Sequence, residues 1–111
     1  MVSRKLFPTP FGRYNGDVSP SLLIRCEVHY SGRVQGVGFR WNACSVARGF
    51  PVTGFVRNLP DGGVQLIVEG DRGDIERLLA SIADSMAGNI QNAETTFGPA
   101  TGKFQSFEIV N

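Results

Sequence analysis

Gly32-Arg33-Val34-Gln35-Gly36-Val37-Gly38-Phe39-Arg40 joins two runs of different period. Upstream, Ile24, Cys26, Val28 and Tyr30 alternate with Arg25, Glu27, His29 and Ser31, the pattern of a half-buried strand over 22–31. Downstream, Phe39, Ala43, Val46, Ala47 and Phe50 fall at helical spacing and predict a helix over 39–49, stopped by Pro51. The glycines between them free the backbone to curl, so that successive N–H groups can turn toward one point and form a concave anion site. A helix starting at Phe39 adds unpaired first-turn donors and the positive end of its dipole. Arg40 brings a planar guanidinium to the same spot, matched to phosphate oxygens. The segment reads as a phosphate cradle made of the N–H groups of Gln35, Gly36, Val37, Gly38, Phe39 and Arg40.

Two better-known phosphate loops are excluded. No Gly-Lys-Ser/Thr follows, and Trp41 stands where the dinucleotide fingerprint needs its third glycine. A glycine-containing turn is weak support by itself, because tight connections use glycine for backbone geometry alone. A second patch strengthens the reading: Gly54-Phe55-Val56-Arg57-Asn58-Leu59-Pro60-Asp61-Gly62-Gly63-Val64. Together the two stretches resemble the acylphosphatase family, with its Gly-Lys/Arg-Val-Gln-Gly-Val-x-Phe-Arg run, its Gly-Trp/Phe-Val-x-Asn run and a following turn with Asp-Gly-x-Val. The resemblance covers roughly residues 23–111. It implies hydrolysis of a small-molecule acyl phosphate to a carboxylate and phosphate, with Arg40 binding the phosphate and Asn58 holding the attacking water. It implies no metal, no cofactor and no covalent enzyme intermediate, and it suggests that the substrate's own phosphate accepts the proton from water. The family commonly has glycine at the position of Pro51, so this chain departs from it in the turn after the first helix.

The rest of the chain predicts strands over 52–57 and 64–69, with 58–63 as a hairpin turn. A second helix is expected over 71–87, with Ile75, Leu78, Leu79, Ile82 and Met86 on its buried face. A weak strand over 89–96, a loop over 97–103 and a last strand over 104–110 complete the pattern. This order predicts an α+β, ferredoxin-like βαββαβ sandwich, with two helices on one face of a mainly antiparallel sheet and an extra C-terminal strand. The expected organisation is a flexible N-terminal tail over 1–21 and one domain over 22–111.

Bulk properties narrow the function. The chain has 111 residues, 41% hydrophobic and 19% charged, with a net charge of +1. Three basic residues against one acidic lie in the first 21, leaving the remainder slightly acidic. Such a balance does not mark a nucleic-acid binder. Arg48-Gly49-Phe50-Pro51-Val52-Thr53-Gly54-Phe55 begins like the aromatic octamer of an RNA recognition motif, but Pro51 to Thr53 break it and it falls at the wrong element. No apolar run reaches membrane-spanning length. Cys26 and Cys44 read as buried free thiols of a reducing, cytoplasmic compartment, and Cys44 has no histidine partner to make it a nucleophile. His29, the single histidine, falls on the polar strand face. Trp41 fits either a surface aromatic or the rim of the site, and the sequence leaves both open. A monomer acting on a small substrate is expected; the runner-up is a non-catalytic or carbamoyl-phosphate-processing module of the same fold.

Overall fold

The computed structural model describes residues 23–111, and the expected tail over 1–21 lies outside them. Five strands and two helices follow one another as β1 (Ile24–Gly32), α1 (Phe39–Ala47), β2 (Thr53–Asn58), β3 (Val64–Gly70), α2 (Arg72–Ser85), β4 (Ile90–Pro99) and β5 (Phe107–Ile109). They form one sheet in the order β4-β1-β3-β2-β5. All neighbours are antiparallel except β2 and β5, which run parallel. This is the expected ferredoxin-like arrangement with its additional strand.

Alternation decides which face the helices cover. Cys26, Val28 and Tyr30 of β1 pair with Val68, Leu66 and Val64 of β3, and residues directly opposite share a face. Those six are buried, together with Phe39, Ala43 and Ala47 of α1 and Ile75, Leu78 and Ile82 of α2. The two helical stripes therefore close on the same sheet face as one core. Asp71 caps α2, its carboxylate accepting from the N–H of Gly73 at 3.0 Å. The Cys26 thiol is pushed up to about 12 by burial, so it stays protonated at neutral pH.

The last third departs from the expected boundaries. β4 runs to Pro99 rather than ending at Thr96, because Phe97 pairs with Cys26 and Pro99 with Ile24. An edge strand tolerates Pro99, which has no N–H to lose. Conversely, β5 holds only Phe107–Ile109, so Phe104, Gln105 and Ser106 are not in the strand. The reason is distance. β4 and β5 lie at opposite edges of the sheet, four strand spacings or about 19 Å apart, and residues 100–106 must cross that span on the helix-free face.

The crossing segment is held at two points. The Phe104 ring meets Phe55 edge-on at 5.8 Å between centroids. Glu69 of β3 accepts the N–H and hydroxyl of Thr101 at 2.9 and 2.8 Å on one oxygen, and the N–H of Gly102 at 2.9 Å on the other. Burial of the Glu69 carboxyl works to raise its pKa. The three hydrogen bonds and the positive charge of Arg25, its cross-strand partner, together outweigh that and hold it below the usual carboxylate range. A depressed carboxylate stabilises the fold above its unfolded-state pKa, and that contribution is lost as pH falls through the folded-state value. Glu69→Gln should therefore cost about 2 kcal/mol at pH 7, as expected for lost charge-assisted bonds. In denaturant titrations the gap from the wild-type chain should narrow as pH drops below 4; a gap independent of pH would refute this role for the ionised carboxyl.

Candidate active site

The loop from β1 to α1 hangs between two buried anchors. Val34 and Phe39 are each 1% exposed, while Gly36, Val37 and Gly38 between them face solvent. Phe39 packs on Tyr30, ring centroids 4.9 Å apart, which fixes where α1 begins. Outside the loop, Asn89 accepts from the N–H of Arg33 through its carbonyl at 2.9 Å and donates its amide to the Arg33 carbonyl at 3.1 Å. Gly36 and Gly38 have φ of 76° and 81°, the left-handed region that a side chain disfavours. Gly38 is also the residue that caps α1, with no side chain of its own to satisfy the first-turn donors. Among the described residues, no backbone carbonyl accepts from the N–H groups of Gln35 to Gly38. Among the described residues these donors are therefore left open at a helix N-terminus.

Asn58 is the last residue of β2. It pairs with Val64, which in turn pairs with Tyr30, so Asn58 shares the helix-side face with the residue that carries Phe39. Two strand spacings, about 10 Å, separate it laterally from β1. Its Oδ1 is buried and has no hydrogen-bond partner among the described residues. A buried amide oxygen left open in this way is costly unless something binds there. The hairpin after it is pinned by the Gly63 carbonyl accepting from Leu59 at 2.9 Å and by the Asp61 carboxylate accepting from the N–H of Gly63 at 2.8 Å.

The two motifs are joined by a contact that sequence reading missed. Beyond its expected place in the cradle backbone, Gln35 donates its side-chain Nε2 to the carbonyls of Leu59 and Gly63, both at 2.8 Å. Both amide hydrogens are spent on the hairpin that carries Asn58. Arg40, in the first turn of α1, is tied in from the other side. Its Nη1 donates to Asn111 Oδ1 at 3.3 Å, and Asn111 follows Val110, whose N–H donates to the Val56 carbonyl of β2 at 3.0 Å. These contacts tie the loop and the first turn of α1 to β2 and its hairpin, at the end of the sheet where β1 and β2 both terminate.

The other singled-out residues have settings of their own. His29 stands on the opposite sheet face with its Nε2 3.2 Å from Asp61 Oδ2, on the outside of the hairpin. Cys44 is buried on α1, its thiol donating to the Phe107 carbonyl at 3.6 Å. Trp41, by contrast, is 70% exposed. No helix among the described residues is long and apolar enough to cross a membrane.

Chemically, open main-chain N–H donors and a guanidinium are groups that suit a compact anion, and the Asn58 amide can both donate and accept. Comparison with known proteins gives the same direction. The family profile described as Acylphosphatase matches residues 26–109. The chain is 37% identical over 82 residues to the acylphosphatase of Lactobacillus johnsonii, which covers 72% of this chain and 90% of that relative. It is 35% identical over 89 residues to the acylphosphatase of Paenarthrobacter aurescens, covering 79% and 95% of the two chains. The crystal structure of acylphosphatase from Bacillus subtilis superposes with a TM-score of 0.72 at 24% identity over 79% of this chain and 99% of that one, which establishes the fold. On the profile match and the two curated relatives, this chain belongs to the acylphosphatase family.

Proposed function

We propose that the chain hydrolyses the carboxyl-phosphate bond of small acyl phosphates at the point where the cradle, Arg40 and Asn58 meet. The single observation that carries this assignment of residues is the Gln35 side chain, which fastens the open N–H cluster to the hairpin bearing Asn58. Phosphoryl transfer to water needs little beyond placement of the water in line and stabilisation of charge on the equatorial oxygens. The N–H groups of Gln35 to Arg40 and the Arg40 guanidinium take the phosphate oxygens. The partnerless Oδ1 of Asn58 accepts a hydrogen bond from the attacking water and turns its lone pair toward phosphorus.

Water oxygen then bonds to phosphorus as the bond from phosphorus to the acyl oxygen breaks. The carboxylate leaves with the bonding pair, and the water proton passes to a phosphate oxygen. A carboxylate is a stable leaving group, so the step asks for no general acid. We further read the protein as a cytoplasmic monomer. Its two described cysteines are free and buried, as suits a reducing compartment.

Hydrolysis of benzoyl phosphate in the presence of excess EDTA, with no turnover of p-nitrophenyl phosphate, is the expected result. Loss of activity on chelation, or equal action on the ester, would refute the proposal. Two substitutions separate the roles. Arg40→Lys keeps the charge but loses the planar fork, so inhibition by inorganic phosphate should weaken about tenfold or more; an unchanged inhibition constant removes Arg40 from the phosphate site. Asn58→Ala should slow turnover by about a hundredfold while phosphate inhibition stays within a few fold; normal turnover removes Asn58 from the reaction.

A further inference from the structure

A groove of about 380 Å³ runs along α1 beside β5, lined by Trp41, Cys44, Ser45, Arg48, Glu108 and Ile109. Its volume lies in the range of small-molecule sites. Cys44 on α1 and Arg48, the residue that caps its C-terminal end, stand four and eight residues beyond Arg40. Along the helix the lining runs from Trp41, the residue after Arg40, to Arg48, about 10 Å of axial rise. The opposite wall leads to the same place, because Ile109 is followed after one residue by Asn111, whose Oδ1 accepts from Arg40. The near end of the groove, at Trp41, thus lies next to Arg40 in the chain.

The character of the walls restricts what fits. Trp41 is 70% exposed and Ile109 40%, an unusual amount of large apolar surface to leave open beside a polar site. At the far end Arg48 is already matched, with its Nη2 3.2 Å from Glu108 Oε1 and its Nε and Nη2 donating to the Phe107 carbonyl at 3.4 and 3.2 Å. No unmatched charge is left there to receive an anionic group.

We infer that this groove is the acyl subsite, and that the preferred substrates carry a neutral aromatic or bulky aliphatic acyl group lying against Trp41 and Ile109. The inference rests on the cradle being the phosphate site. With the phosphate held at Arg40, the acyl group is drawn along α1, and small acyl groups gain nothing from the tryptophan. Trp41 then determines specificity without touching the reacting atoms.

The test compares kcat and KM for benzoyl phosphate and acetyl phosphate in the wild-type chain, Trp41→Ala and Trp41→Phe. The ratio of kcat/KM for the two substrates should favour benzoyl phosphate in the wild type. It should fall about tenfold in Trp41→Ala, chiefly through KM, and be largely restored in Trp41→Phe. A ratio that stays within twofold in Trp41→Ala overturns the inference. A second readout needs no variant: Trp41 is the single tryptophan of the chain, so its fluorescence reports on the groove directly. Saturating benzoylphosphonate should shift the emission and saturating inorganic phosphate should not; identical spectra overturn the assignment. If the wild type hydrolyses neither acyl phosphate, the reading of the reaction fails instead, and the fluorescence comparison alone decides whether the groove binds an aromatic acyl group.

Discussion

One side-chain amide holds this site together. The Nε2 of Gln35 reaches from the loop after β1 to two carbonyls of the hairpin after β2, and both carbonyls also accept from hairpin N–H groups. Each of those oxygens thus uses both of its lone pairs, and the amide uses both of its hydrogens. Such a saturated arrangement fixes two segments that the sheet itself keeps apart, since β3 lies between β1 and β2. A loop of glycines would otherwise be free to sample many shapes. Its donors are useful only if they stay aimed, and the buried anchors Val34 and Phe39 with the Gln35 bridge supply that constraint.

The chemistry proposed for the site follows from fixed dipoles and one delocalised charge. Main-chain N–H groups cannot titrate, and a guanidinium stays protonated at any ordinary pH. Sensitivity belongs elsewhere in the molecule, to the Glu69 carboxylate that clasps the crossing segment. Stability and phosphate recognition therefore answer to different groups.

The sequence placed the candidate residues on their elements better than it reached the contacts around them. Arg40 and Asn58 were legible because a turn, a helix start and a hairpin each leave local marks in residue type and spacing. The Gln35 side chain left no such mark, since nothing local tells whether a loop glutamine points outward or across to a hairpin 24 residues on. Asn111 was invisible for a related reason: it reaches Arg40 only because β5 pairs in parallel with β2, a choice made by the whole sheet. Gly98 and Pro99 read as a break, yet cross-strand pairing with Arg25 and Ile24 carries β4 through both. Phe104 to Ser106 alternate as a strand would, and the need to cross the sheet overrides that local preference.

The pairing of β5 has a kinetic side. Gly54 stands opposite Phe107 and Val56 opposite Ile109, residues more than fifty positions apart in the chain. Contacts so remote in sequence are slow to find. Until residues 107–109 dock, the outer edge of β2 offers unpaired N–H and carbonyl groups to any passing strand. A nascent or truncated chain lacking that short segment would expose a sticky margin directly beside the strand that carries Asn58, so the edge would be closed and Arg40 given its Asn111 partner in the same event.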